Sequence, residues 1–522
     1  MFKNFTKDHT ILLTSVAIFL LLIPLALSVN FMQNDDWVYY KTVSSFMHGN
    51  FAIDPYISAT FYLQGIFGAL FSVVLGLQKL PILTLIFSCL NFYLVATILK
   101  KYFGKSYVYS ILLAIIIFLN PLQVYSMLGF MTENYFIFFL LMSIYFICEF
   151  KKSDKPLKPF ILTNLFIVLG YFVRQISLVT LLAFAILLLW ERKWKFALYQ
   201  LGVLIASLLI HFFVIPKRWG FYENSLVVGN LIKPYYINTF VIAVLVYLCA
   251  FTLPIVLYCC SSTIKSIFCV KFYKYKILVV VMSVFAVVCI FSKFKVYNLP
   301  VGEFYYFENT VVREGFYADD INGTPYNFVG YFKFYKYLEI LSKFSVFLVL
   351  VIFIVNIPKS INLFSIYIVG YIAVLVFFPV MYDRYLLPLY PVFIFYLLQT
   401  SFEFNNSSIV NLYRTVLVLF ICLILFYSYN FTMNFLVSER YALEKASILV
   451  DTGVKPEDIN PTRAWRQTYI NRRKNWTYLF SHDILKSKPL LGYSYTLIQQ
   501  FRVEYPLNFF VNPYIYLYKL KN

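Results

Sequence analysis

Long unbroken apolar runs, bordered by a few charged or turn-forming residues, recur along most of this chain. A helix that crosses a bilayer needs about 20 predominantly apolar residues, because roughly 30 Å of hydrocarbon is crossed at 1.5 Å per residue. By that rule the pattern predicts spans at Ile11–Val29, Pro81–Ile98, Tyr107–Leu119, Tyr135–Ile147, Phe160–Val173, Leu178–Trp190, Phe196–Val214, Phe240–Cys259, Ile277–Phe291, Ser342–Val355, Ile361–Phe378, Leu386–Leu398 and Thr415–Tyr429. That makes about thirteen spans, several with extendable ends.

Ala59–Leu77 is apolar enough to be one more, and counting it reverses the side of everything downstream. The basic clusters decide the question. If this segment lies along the outer interface, then Lys100/Lys101/Lys105, Lys151–Lys158, Arg192/Lys193/Lys195, Lys265–Lys276, Lys359 and Arg414 all fall on the cytoplasmic side. If it spans, all of them face outward. The segment therefore reads as interfacial or re-entrant, with Gly65, Gly68 and Gly76 easing its bends. The expected fold is an all-α polytopic membrane domain over residues 1–430, with outer loops 31–80 and 293–340. A small α/β domain over 431–522 is expected outside the membrane. In that tail a helical stretch from Glu439 to Val450 leads into Val454-Lys455-Pro456-Glu457-Asp458, and strand-like aromatic alternation follows near Asn508–Tyr518.

Composition agrees with this picture: 61% of the 522 residues are hydrophobic and 13% charged, where a soluble domain carries about a quarter charged residues. The net charge of +20 sits in short clusters between apolar runs, which indicates membrane topology and no nucleic-acid partner. The eight cysteines have no regular spacing, so neither a disulfide framework nor a thiolate metal site is expected. Met1 to Asn30 lacks an A-x-A-like cleavage site and reads as a retained first helix. No internal repeat is evident.

Charges at the borders of the apolar runs are the candidates for chemistry. Beyond the first span stands Gln33-Asn34-Asp35-Asp36-Trp37-Val38-Tyr39-Tyr40. Two adjacent carboxylates here are either a solvated loop entry beside belt aromatics or a general base or metal ligand held where a lipid-linked substrate presents its head group. Glu133, in Gly129-Phe130-Met131-Thr132-Glu133-Asn134, either favours a helix start by its charge or joins that site. Arg174, in Gly170-Tyr171-Phe172-Val173-Arg174-Gln175, is a lone rim arginine that either snorkels to head groups or binds an anion. In Tyr382-Asp383-Arg384-Tyr385, Asp383 and Arg384 are either a rim ion pair or part of a phosphate site shared with Arg174. The long loop's Glu303, Glu308, Arg313, Glu314, Asp319 and Asp320 read mainly as a solvated lid. His48 is a candidate in the first outer loop, and no two of His9, His48, His211 and His482 have metal-ligand spacing.

The order and sidedness of these motifs resemble the GT-C superfamily of membrane glycosyltransferases, in the branch of the protein O-mannosyltransferases and the lipid A aminoarabinose transferase. The resemblance rests on Asp35-Asp36-Trp37-Val38-Tyr39, Met47-His48-Gly49-Asn50, the interfacial segment ending in Gly76, and Asn120-Pro121 with Thr132-Glu133. It also rests on Gly170 with Arg174, Arg384-Tyr385-Leu386-Leu387-Pro388 and Gly453-Val454-Lys455-Pro456-Glu457-Asp458-Ile459. Ile57-Ser58-Ala59-Thr60 stands where part of the family has Lys-Pro-Pro, which leaves Arg174 or Arg384 to meet the donor phosphate.

The resemblance implies an inverting transfer of a sugar from a polyprenyl-phosphate donor to a lipid, glycan or protein acceptor. Asp35 would be the general base, with Asp36 and Glu133 beside it. Arg174, Arg384 and Tyr385 would bind the donor phosphate, and Tyr39 and His48 the substrate. Asp35 and Glu133 would hold a divalent ion if the reaction uses one. The Lys-, Ile-, Phe- and Tyr-rich composition points to an AT-rich bacterial genome, so the plasma (bacterial inner) membrane is the expected location, with the site expected to face the exterior or periplasm. Two other readings of the sequence stay open: a transporter or flippase, and a polymerase or ligase, each acting on lipid-linked glycans.

Overall fold

The computed structural model describes residues 2–29, 31–33, 35–58, 60–215, 234–268, 361–377, 382–400, 407–469, 476–481, 494–508 and 514–521, with short pieces at 281, 311–312, 315–316, 341, 344–349 and 352–353. Nearly all of the span expected at Ile277–Phe291 and about half of that at Ser342–Val355 lie outside the described residues. So do Glu303, Glu308, Arg313, Glu314, Asp319, Asp320, Lys359 and His482.

The chain is mostly helical. The helices are α1 (Phe2–Ser28), α2 (Asp36–Met47), α3 (Tyr62–Leu75), α4 (Leu80–Phe103), α5 (Tyr107–Phe118), α6 (Pro121–Met127), α7 (Glu133–Lys152), α8 (Leu157–Tyr171), α9 (Leu178–Trp190), α10 (Trp194–Leu209) and α11 (Pro234–Phe268). After the short antiparallel pair β1 (Val311–Val312) and β2 (Gly315–Phe316) come α12 (Leu363–Val376), α13 (Leu389–Thr400), α14 (Ser407–Asp451) and α15 (Arg463–Thr468).

Among the described residues, five helical stretches are long and apolar enough to cross a membrane: His9–Ser28, Leu77–Phe103, Glu133–Lys152, Trp194–Val214 and Leu412–Asp451. The pair α5 and α6, bent by 74°, would make a sixth. Most of the remaining predicted runs that fall on described residues also form helices, but shorter ones, such as Leu157–Tyr171 and Leu363–Val376.

Apolar character on every side puts α4 at the centre, where Leu85, Val95, Ala96, Ile98 and Leu99 are fully buried. Outer helices instead bare a stripe of large side chains, as α1 does with Leu13, Leu20 and Leu21. Such a surface fits association with a membrane. The bend between α5 and α6 follows from Asn120-Pro121. The proline has no N–H to continue α5, and the Asn120 side chain occupies both freed ends, accepting from Gln123 N (3.0 Å) and donating to Ile117 O (2.7 Å).

Helix direction separates two ends of the bundle. α7 runs about 30 Å from Glu133 to the Lys151–Lys152 end. There Lys101 pairs with Glu149 (2.9 Å) and Lys151 with Glu191 (2.6 Å), gathering the basic residues that close α4, α7 and α9. α3 stays at the opposite end. Its Gln64 donates to Phe130 O (3.1 Å), Leu63 N donates to Phe172 O (3.0 Å), and Gly68 lies against Phe130, Val43 and Leu80. At 14 residues α3 is about 21 Å long, and it turns at Gly76 (φ +88°) into the start of α4.

The tail forms a four-stranded sheet, β3 (Ile459–Asn460), β4 (Tyr478–Ser481), β5 (Tyr495–Arg502) and β6 (Tyr514–Leu520), in the order β3-β4-β6-β5. Only the β3–β4 pair is parallel. Ala442 and Ala446 of α14 pack against Ile459, Phe480, Phe501, Ile515 and Leu517 of the sheet. α14 is one helix of 45 residues, so the apolar run from Thr415 and the polar stretch from Glu439 are continuous across residue 430.

Candidate functional site at one end of the helical bundle

Four of the expected charged residues meet at the end opposite the lysine clusters. Asp35 occupies the position before α2, Glu133 opens α7, Arg174 ends the turn after α8, and Arg384 lies in the short helical turn Asp383–Leu386 before α13. Arg384 Nη2 donates to Asp35 Oδ2 at 2.8 Å, across 349 residues of sequence. Its Nε lies 3.7 Å from Glu133 Oε1, and Arg174 Nη1 donates to the same oxygen at 3.3 Å. Arg384 Nη1 approaches Met131 Sδ at 2.7 Å.

Both guanidiniums also lie over aromatic faces: Arg174 is 4.8 Å from the Tyr385 ring centre, and Arg384 is 4.6 Å from that of Tyr382. Burial works against the charge of Arg384, but Asp35 and Glu133 outweigh it and hold the guanidinium well above its ordinary value. Arg174 behaves alike, with Glu133 as the main opposing carboxylate.

Exposure grades the cluster. Glu133, Arg384 and Arg174 side chains are 3%, 6% and 12% exposed, against 24% for Asp35. Asp35 thus forms the open side. Behind Glu133 a buried polar network fixes the start of α7: Asn91 Nδ2 donates to Asn134 O (2.8 Å), Asn134 Nδ2 donates to Ser126 Oγ (3.1 Å), and Gln123 donates to the Asn134 side chain. Tyr39 is buried one turn beyond Asp35, its ring 5.0 Å from that of Phe61. Tyr371 donates to Tyr385 O at 2.8 Å, tying α12 to the turn that carries Arg384.

Asp36 differs from its neighbour. It is 1% exposed, and its two oxygens accept from Phe130 N (3.0 Å) and Gln33 N (3.3 Å). Gln33 in turn donates to Leu128 O at 3.0 Å. Asp36 is thus a clamp between the start of α2 and the 128–131 loop that leads to Glu133. Gly129 is what lets the loop come so close, since a Cβ there would stand 3.0 Å from Asp36 Oδ2. Burial pushes the Asp36 carboxyl up to about 7 against the lowering effect of its two N–H partners.

His48 is not brought to the cluster. It is exposed at the far end of α2, where its Nδ1 bonds Ser44 O at 2.7 Å. A divalent ion between Asp35 and Glu133 does not fit the arrangement either. The Arg384 guanidinium already bridges them, and no group of three His, Cys, Asp or Glu among the described residues could hold a metal.

The residues that sequence reasoning missed are Gln33, Met131, Tyr371 and Tyr382. All are uncharged; Gln33, Met131 and Tyr382 stood inside motifs already singled out for their charged neighbours, and Tyr371 lay outside them. Comparison of the chain with family models, curated proteins and solved structures gives no match.

Proposed function

We propose that the chain is a GT-C-like membrane glycosyltransferase of about thirteen spans that moves a sugar from a polyprenyl-phosphate donor to a lipid, glycan or protein acceptor on the outer face of the plasma membrane. The observation that carries this reading is the meeting of Arg174 and Arg384 on Glu133, with the more exposed Asp35 beside them. Two guanidinium forks at the edge of an apolar bundle suit a lipid phosphate, to which arginine offers planar paired donors. The lysine-rich opposite end supports an outward-facing site by the positive-inside bias.

In the proposed reaction Asp35 takes the proton of the acceptor hydroxyl as its oxygen attacks the anomeric carbon from the face opposite the phosphate. The new C–O bond forms while the sugar–phosphate C–O bond breaks with inversion. The electron pair leaves on the phosphate, whose charge grows from about −1 towards −2. That growing charge is what fixed, desolvated guanidiniums stabilise in the transition state. Glu133 aligns both arginines, Tyr385 and Tyr382 support their planes, and Asp36 acts from behind as a positioning residue.

The test is transfer or hydrolysis of a radiolabelled polyprenyl-phosphate sugar by the purified protein and by Asp35→Asn. Turnover by the wild type and a loss of about a hundredfold or more in the variant is expected. Equal turnover by both would remove Asp35 as the base. Movement of lipid-linked glycans across vesicles with no turnover by either protein would favour the transporter reading.

A further inference from the structure

Arg384 keeps capacity that its present partners do not use. A guanidinium carries five N–H groups in a fixed fork. Among the described residues, one binds Asp35 at 2.8 Å, another meets the weakly accepting sulfur of Met131, and Nε is buried with no hydrogen bond, Glu133 being 3.7 Å away. The two carboxylates holding the arginines are unequal. Glu133 is almost wholly buried, is shared by both guanidiniums and is braced from behind through Asn134. Asp35 touches Arg384 from the open side and is eight times as exposed, 24% against 3%.

The geometry points to Asp35 as an internal anion that occupies Arg384 until a lipid phosphate displaces it, so that donor binding comes first and is the event that releases Asp35 to the acceptor. This rests on the polyprenyl-phosphate reading of the site. The charges exchange evenly: a sugar phosphodiester brings about −1 to Arg384 as one carboxylate leaves it. A carboxylate that accepts from a guanidinium at 2.8 Å has that lone pair committed, so the resting pair also keeps the base from acting on water before the donor is seated. Glu133 stays in place throughout and keeps Arg174 and Arg384 on one shared carboxylate oxygen.

The test is binding of a sugar-free polyprenyl monophosphate to the full-length protein in nanodiscs, comparing wild type, Asp35→Asn, Glu133→Gln and the double variant Asp35→Asn with Arg384→Gln. Removing the competing anion is expected to tighten binding about tenfold, the size of one charge-assisted hydrogen bond regained. Glu133→Gln is expected to bind no tighter than wild type, and the tightening should vanish without Arg384. Asp35→Ser carries the same expectation as Asp35→Asn and stands in for it if that variant does not fold.

Unchanged or weaker binding by Asp35→Asn overturns the displacement. Equal tightening by Glu133→Gln also overturns it, because a general field effect would then suffice. Inorganic phosphate is expected not to compete at lipid-like concentrations, and competition there would overturn the assignment of a lipid ligand. If neither wild type nor Asp35→Asn binds the lipid phosphate at all, the polyprenyl-phosphate reading fails. Tight and equal binding by both sinks only the displacement.

Discussion

Asp36→Asn is the sharpest probe of how the site is built, because it removes one ionisation and changes the shape of the side chain little. Burial raises the Asp36 carboxyl from 3.8 to about 7 in the folded protein. A carboxyl with its folded value above its unfolded one binds more protons folded than unfolded in that window. Its stabilising effect is therefore complete below about 4, lost as pH rises through the window, and level above about 7. At 1.36 kcal/mol per unit the whole window is worth about 4 kcal/mol, and about 3 kcal/mol of it falls between about pH 5 and about pH 8.

The asparagine cannot ionise. It keeps one oxygen for Phe130 N or Gln33 N and leaves the other N–H without its acceptor, at a cost of about 1–3 kcal/mol. Near pH 5 the variant should therefore be equal to or less stable than wild type. Near pH 8 it should have gained on wild type by about 3 kcal/mol. Thermal unfolding of both proteins in one detergent, followed by tryptophan fluorescence across this range, measures the difference while cancelling the other titrating groups. A difference that does not change with pH would refute the account, and so would wild type gaining on the variant as pH rises. The latter would mean that the two backbone N–H groups stabilise the carboxylate more than burial penalises it.

Two further outcomes are expected. Gly129→Val should destabilise the protein by about 1–3 kcal/mol, measured by the same unfolding assay, and should lower transfer as well, because its Cβ would press on Asp36 Oδ2 and shift the loop that carries Met131 and Glu133. A reporter domain fused after Lys101 should report a cytoplasmic location, since α4 carries the chain from the Asp35 end to the lysine end. A signal from the outside would overturn the interfacial placement of α3.

How much of this was legible in the sequence follows from where charge is costly. Asp35, Glu133, Arg174 and Arg384 stood out because each lies at the border of an apolar run, where an ionised side chain needs a reason. The structure brings these four together from four separate segments. The same logic could not divide Asp35 from Asp36. They are identical in type and adjacent, and successive residues at a helix start point about 100° apart, so one meets Arg384 and the other turns inward to Phe130 N. Which is which depends on the 128–131 loop, nearly a hundred residues away, and no local pattern encodes it.

The continuity of α14 had a signal that composition masked. The change from apolar to polar after residue 430 suggested a boundary, yet no glycine or proline interrupts residues 407–451, and nothing else stops a helix as firmly. That continuity has a mechanical consequence. Beyond residue 430 the same helix packs its Phe435 against Phe31 and Tyr125, and lays Ala442 and Ala446 on the tail sheet. Phe31 lies four residues before Asp35, and Tyr125 precedes the loop clamped by Asp36. The tail domain is thus built onto the segments that position the carboxylates, and a substitution in its sheet has a direct structural route to the site.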